Sequence, residues 1–575
     1  MTKKYYDYED KKFYSSINNQ FKKFVIPKNK LSMKQICKPN KFKLQIPQKF
    51  MREWINPNTP YKGILIYHKI GAGKTCTAIN IAEGWKKKRK IVVLVPAALI
   101  GNFKDELRSQ CANEEYISNK ERKRLKKLSP TDNSYKKIIE KSNKKIDKYY
   151  KIYSYHKFVM MATKKQFNLK NTLLIVDEIQ NMISESGTFY KILLKTINNA
   201  PKDLRIVLLS ATPMFDKPIE IALTLNLLRP KILLPTGNDF NKMFLTTKRR
   251  NNYITYNTKN MKYFRQLIRG TISYFRGASP QAFPEQIFKV VNCKMEQFQY
   301  KSYLGALSSD KHYIRGSFKS QDILNLPNNF FIGPRMVSNI AFPNKCTNQS
   351  GYSSFTCESL LLKNLKMYSI KFYKILIKIK KSEGNIFIYS NFKEYGGIKS
   401  FVKVLEKHGY KNYKKWGTGK KRFAIWSGNE SHKMKEEIKN IFNQKNNHDG
   451  SSLKILLGSP SIKEGVSLLR VEQVHILEPY WNIARILQII GRAIRYCSHK
   501  DLPVRRRFVN VFLYLATYPD EDTTIDKYIW KLAQKKYKLI EKFEKEMKRT
   551  AIDCKLNMNA NYYKNIDDSP IKCEA

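Results

Sequence analysis

Lys74 and Thr75 close the stretch His68-Lys69-Ile70-Gly71-Ala72-Gly73-Lys74-Thr75, set between an apolar run, GILIY, and a helix-like run, CTAINIAEGW. Small residues between a strand and a helix let backbone N–H groups turn onto phosphates at the helix N-terminus. In such a loop a lysine reaches the β- and γ-phosphates and a threonine hydroxyl ligates magnesium. Gly71, Gly73, Lys74 and Thr75 are therefore candidate binders of ATP and Mg2+. The full G-x-x-x-x-G-K-T pattern is not met, because His68 stands where the first glycine belongs.

Further along, the apolar run LLIV ends in Asp177-Glu178. A carboxylate at the tip of a buried strand beside a phosphate loop can hold magnesium, and its neighbour can orient and deprotonate the attacking water. Asp177 is assigned to the metal with Thr75, and Glu178 to the water. The run RIVLLS then ends in Ser210-Ala211-Thr212-Pro213, whose hydroxyls can relay the state of the nucleotide. In the second half, offsets of three, four and seven set Gln488, Gly491, Arg492 and Arg495 on one helix face. Two guanidiniums one turn apart can clamp a γ-phosphate held by the other half. A basic helix face in a basic protein would show the same spacing. The loop Gly458 to Ser467 suits a phosphate backbone or the cleft.

Strand-like runs that must position these groups recur from 44 to 235 and again from 376 to 520, each near-continuously apolar. Strands buried under helices on both faces have this character. The fold expected is α/β, with two parallel-sheet lobes, a nucleotide cleft between them, a helical C-terminal extension and basic insertions. The boundaries read as a basic arm at 1–43, lobe one at 44–235, a linking and irregular insertion at 236–375 without strand alternation, lobe two at 376–520, and a helical extension with a tail at 521–575. Residues 119–148 form a basic insertion split by Ser129-Pro130, read first as a solvated helical hairpin and second as a nucleic-acid contact.

The 575 residues carry 108 Lys plus Arg against 47 Asp plus Glu, a formal charge of +61, which points to a polyanionic partner. At 42% hydrophobic the chain is too apolar for a disordered basic tail. Nine scattered cysteines without C-x-x-C or zinc spacing read as reduced thiols in a reducing compartment. No secretory leader and no membrane span is legible, so the expectation is a soluble, cytoplasmic protein with no membrane partner.

These segments, in this order, resemble the nucleic-acid-dependent ATPase motors of helicase superfamily two, whose lobes are RecA-like. The stretches PQKFMREWINPNTPYKGILIYHKIGAGKTCTAINIAE, LLSATPMFDKPIEIALTLNLLRP, IFIYSNFKEYGGIKSFVKVLEKHGY, YWNIARILQIIGRAIRYCSH and SYFRG look like the helicases of large cytoplasmic DNA viruses. Within that group the chain is similar to the poxvirus nucleoside triphosphatase I and early-transcription-factor small-subunit families, and linear cytoplasmic plasmids of yeasts carry related motors. The resemblance implies a DNA-dependent ATPase that translocates during cytoplasmic transcription, with a multisubunit RNA polymerase as partner and a place in the host cytoplasm or the virion. It gives Gln488, Arg492 and Arg495 their catalytic roles. One departure is Gln180, where the acidic box carries His or Asp in the family; its amide can still bond toward Ser210 or Thr212. RNA as the track, and a non-enzymatic nucleic-acid scaffold, are the rival readings.

Overall fold

The structure is a computed structural model describing residues 5–28, 31–38, 42–250, 253–314, 317–318, 321–327, 329–463, 466–519 and 524–575. The apolar runs of the first half become strands β1 (Gly63–His68), β2 (Lys90–Val95), β3 (Tyr150–Ser154), β4 (Thr172–Val176) and β5 (Arg205–Ser210). A sixth, β6 (Ile272–Phe275), comes from the stretch in which no strand alternation was expected. Their order is β3-β2-β4-β5-β1-β6, and every ladder is parallel. Four of these strands, β1, β4, β5 and β6, are buried at every residue, as a sheet covered on both faces requires.

The second sheet holds β7 (Glu285–Lys294), β8 (Asn385–Tyr389), β9 (Lys411–Asn412), β10 (Arg422–Trp426), β11 (Ile455–Gly458), β12 (Val471–Ile476) and β13 (Phe508–Thr517). The order is β9-β10-β11-β8-β12-β13-β7, again parallel throughout. The intervening stretch thus supplies an edge strand to each sheet. Its β7 pairs along its whole length with β13, from Phe508 opposite Glu285 to Thr517 opposite Lys294.

Outside the sheets, aromatic side chains of the N-terminal arm, Phe13, Tyr14, Phe21 and Phe24, join Phe50, Trp54 and Tyr61 in the core of the first lobe. The 119–148 insertion is a helical hairpin, Asn119–Leu125 and Asn133–Tyr149, with Ser129-Pro130 in its turn. The helix Ile525–Arg549 starts on a Thr524 cap and runs beneath both lobes. Near its start, Asp526 pairs with Lys371 at 2.6 Å with both side chains fully buried, and accepts the Ala516 N–H at 2.8 Å. Further on, Lys536 pairs with Asp216, Glu544 lies 3.8 Å from Lys69, and Glu546 is 2.6 Å from Arg265. Long helices gain most of their stability from such packing.

The thiol expectation is corrected by the structure. Cys37–Cys497, Cys76–Cys111 and Cys554–Cys573 are disulfides with Cα atoms 5.6–5.8 Å apart, and Cys293, Cys346 and Cys357 are free. The pairs are 460, 35 and 19 residues apart, so no local spacing announces them. Among the described residues the one cluster with metal-ligand geometry, Cys76, Glu106 and Cys111, has both its sulfurs committed to the second of these bonds. No helix among the described residues is long and apolar enough to cross a membrane.

His475 lies buried in the second sheet, its Nε2–H donating to Gln473 Oε1 at 2.9 Å and its Nδ1 accepting from the Tyr514 hydroxyl at 2.7 Å. Both nitrogens are satisfied in the neutral ring. Burial, with the Lys378 charge, pushes its pKa down to about 3. The folded state binds this proton less readily than the unfolded chain, so the stability it confers is present above about 6.5 and is lost as pH falls toward about 3. His475→Gln should flatten the fall in unfolding free energy over that window, measured by denaturant titration at successive pH values.

Candidate active site

The first wall of the candidate site is built at carboxyl ends of parallel strands. The loop after β1 turns through left-handed Gly71 (φ 79°) and Gly73 (φ 74°), and the helix Lys74–Trp85 begins at once. A Cβ at Gly73 would come within 2.7 Å of Gln48 Nε2, which donates to the Gly73 carbonyl at 3.3 Å. Gln48 is a contact that the reading of motifs did not include. Lys74 Nζ sits 3.9 Å from Glu178 Oε1 across the loop.

At the tip of β4, the Asp177 amide donates to the Leu94 carbonyl at 2.9 Å, and Asp177 Oδ1 accepts the Glu178 N–H at 2.9 Å. Burial and the Glu178 charge hold the Asp177 carboxyl well above the usual carboxylate range, against the pull of Lys74. Such a carboxylate gains from a cation more than an exposed one does. Glu178 itself adopts a left-handed conformation, φ 50°, uncommon for a residue with a side chain. Tyr155 stabilises that backbone, its hydroxyl donating to the carbonyls of Asp177 and, at 3.0 Å, Glu178. Nothing in the sequence marks Tyr155, because its partners are carbonyls and leave no residue-type signature.

A directed chain of hydrogen bonds leaves this point. Gln180 Nε2 donates to Glu178 Oε2 at 2.5 Å, the Ser210 hydroxyl donates to Gln180 Oε1 at 2.7 Å, and the Thr212 N–H donates to Ser210 Oγ at 3.0 Å. The amide donates to the acidic box with its nitrogen and accepts from the end of β5 with its oxygen, so it links the two.

The opposite wall is the amphipathic helix Ile483–Ala493 of the second lobe. It ends before Arg495, so the four residues expected on one helix face are three on the helix and one just beyond it. The arginines still converge: Arg492 Nη1 reaches the Val466 carbonyl at 3.5 Å and Arg495 Nη2 reaches it at 3.3 Å. Burial and the Arg492 charge lower Arg495 to about 10. Gly491 lets this helix approach the phosphate loop, since a Cβ there would meet Ile70 Cδ1 at 3.3 Å. In the loop Gly458 to Ser467, Ser459 and Ser461 face each other at 3.2 Å, while Glu464 and Gly465 lie outside the described residues.

Gly71, Lys74, Thr75, Asp177, Glu178, Gln180, Thr212, Gln488, Arg492 and Arg495 together line one cleft of about 490 Å³. Gly73 and Ser210 stand behind its wall. Asn102, Phe103, Glu106, Asn181 and Phe215 also line it, and no motif pointed to them.

Residues 30–350 match the SNF2-related domain, 370–497 the helicase conserved C-terminal domain, and 499–572 the C-terminal region of nucleoside triphosphatase I. A protein of Acanthamoeba polyphaga mimivirus named as an ATP-dependent RNA helicase is 50% identical over 572 residues, 99% of each chain. Another mimivirus protein so named is 28% identical over 645 residues, covering 91% of this chain and 76% of its own. A termination factor NPH-I homologue of African swine fever virus is 27% identical over 564 residues, covering 86% of this chain and 77% of its own.

Tyr155→Phe removes one hydroxyl, whose single proton is shared between two carbonyls, without changing the ring. It should cost about 1–2 kcal/mol of stability, read by denaturant unfolding, and lower ATP turnover more than it raises KM, because Glu178 loses the support of its left-handed backbone.

Proposed function

This chain belongs to the SNF2-related family of helicase-type ATPases carried by large DNA viruses, and from that premise we propose that it spends ATP, with Mg2+, to translocate along DNA during viral transcription. The observation that carries the reading is the convergence of ten candidate residues from both lobes on a single cleft.

Glycine turns at 71 and 73 leave room for phosphates, and the hydroxyl of Thr75 with the buried carboxylate of Asp177 forms a donor set that suits magnesium. A magnesium ion held there would offset the charge of the β- and γ-phosphates. Lys74 grips the same phosphates. Glu178, beside Lys74, orients the attacking water and takes its proton. Arg492 and Arg495 stabilise charge that develops as the γ-phosphoryl departs, and Gln488 supports them from the same helix. Hydrolysis then alters the Glu178–Gln180–Ser210–Thr212 chain, through which the first lobe signals nucleotide state to the nucleic-acid track.

Nucleic acid is the partner that the helicase relatives imply. DNA and transcription are supported by the match to the nucleoside triphosphatase I C-terminal region and by the relative named as a termination factor. On this reading a multisubunit RNA polymerase is the protein partner, and the site of action is the host cytoplasm or the virion. RNA as the track has its own support in the name of the 50% identical relative. Measuring ATP hydrolysis with single-stranded DNA, duplex DNA and RNA in parallel decides between them; stimulation by RNA alone overturns the DNA reading. The scaffold alternative is set aside by membership of an ATPase family.

Lys74→Ala and Glu178→Gln should each abolish nucleic-acid-stimulated hydrolysis, with Glu178→Gln still binding nucleotide. Arg495→Ala should cut turnover by on the order of 10³-fold or more with little change in nucleotide affinity. Normal turnover in any of the three overturns its assignment.

The insertion at 119–148 carries twelve basic residues. If they touch nucleic acid, deleting 119–148 should flatten the log–log salt slope of binding by about one unit, since each phosphate contact contributes about 0.7 to 0.9. ATPase activity at saturating nucleic acid should persist. An unchanged slope means the hairpin is solvated or meets a protein.

A further inference from the structure

His68 is the one departure from the phosphate-loop pattern, and its ring is fully buried. Its Nε2 lies 2.9 Å from Ser273 Oγ, and the Ser273 hydroxyl lies 2.6 Å from Asp553 Oδ2, also fully buried. Ser273 has a single hydroxyl proton, and a carboxylate can only accept. The proton therefore goes to Asp553, so Ser273 accepts from His68. That puts a hydrogen on Nε2; Nδ1 is buried without a partner to receive a second one, and burial with the Lys74 charge pushes the pKa down to about 3, so the ring is neutral.

The same strand and loop are held by their neighbours. Tyr274 N–H donates to Asp553 Oδ1 at 2.9 Å, Ile552 N–H to the Ile272 carbonyl at 2.9 Å, and Asn557 Nδ2 to the Tyr274 carbonyl at 3.0 Å. On the other side Lys69 N–H donates to the Phe275 carbonyl at 3.0 Å. Gly277 lies so close that a Cβ would meet the Ala72 Cβ at 3.3 Å. Residues 552–557 thus clasp β6, and β6 carries the root of the phosphate loop.

We propose that Asp553 is a positioning residue for ATP binding, acting through Ser273 on His68 to hold the phosphate loop in its phosphate-accepting shape. The C-terminal region is on this view a working part of the nucleotide site, and His68 stands in the first-glycine position because its N–H is the loop's end of the clasp. This rests on the assignment of Lys74 and its loop to ATP.

The test is steady-state ATPase kinetics of the full chain at saturating nucleic acid. Ser273→Ala, His68→Leu and Asp553→Asn should each raise KM for ATP by about three- to tenfold, the weight of one hydrogen bond, with kcat within about threefold. His68→Gln, whose amide can donate from nearly the same place, should return KM to within about twofold of the native value. Ser273→Ala combined with His68→Leu should be no worse than either alone, because both cut one relay. Partial unfolding lowers the concentration of active enzyme and hence kcat, but leaves KM unmoved, so the split separates positioning from mere stability. Unchanged KM in all three single variants, or additive effects in the double variant, overturns the proposal. Lys74→Ala in the same assay keeps the two readings apart. If it turns over normally the site assignment fails. If it is inactive while the relay variants keep native KM, only the relay fails.

Discussion

Two strands that run the same way cannot be joined by a tight turn, so the chain must cross over a face of the sheet before the next strand begins, and every strand then ends at the same edge. Both sheets here are parallel at every ladder. The phosphate loop after β1, the acidic pair after β4 and the hydroxyl segment after β5 consequently share one edge of the first lobe. The crossover helices cover both faces, which makes the strands apolar at successive positions rather than alternate ones. One geometric rule thus produces both the sequence pattern and the cleft.

That rule also explains what could be read from the residues and what could not. The apolar runs GILIY, LLIV and RIVLLS named from the sequence are all strands, because double-faced burial leaves a near-continuous signal. β6 and β7 escaped notice for different reasons. β6 is only four residues long and is defined by partners far away in the chain, while β7 is a half-exposed edge whose Glu285, Gln286 and Lys289 break any apolar run. In the cleft, residues whose proposed roles rest on side-chain chemistry, such as Lys74, Asp177 and Arg495, were legible as motifs. Tyr155 and Gln48 act on backbone carbonyls, and Asp553 acts through two intermediaries across nearly the whole chain, so none leaves a local pattern. The disulfides were hidden likewise by their separation.

Acidic residues are scarce in this chain, and several of them are turned inward. Asp526 meets Lys371, Glu544 approaches Lys69, Glu546 meets Arg265, and Glu478 accepts from Asn339, Ser390 and Asn391. Each joins segments far apart in sequence, and three of the four lie on the one helix Ile525–Arg549. Each of the three ion pairs takes one acid and one base out of the exterior together, so the net charge facing a polyanion is left as the sequence sets it. Removing one partner of such a buried pair leaves an uncompensated charge, which ties the placement of that helix to the integrity of both lobes.

The clasp on β6 also bears on how the protein is made. A ribosome delivers the phosphate loop long before it delivers residues 552–557, an interval of roughly half a minute to a minute and a half at ordinary elongation rates. During that time the nascent first lobe can pair β1 with its neighbours, but the carboxylate that orients Ser273 is still untranslated. On the inference drawn above, a truncated translation product would carry every motif for hydrolysis and yet grip ATP poorly. The chain would withhold its fuel supply until synthesis has passed residue 553, so completeness of the polypeptide becomes a condition of its consuming nucleotide.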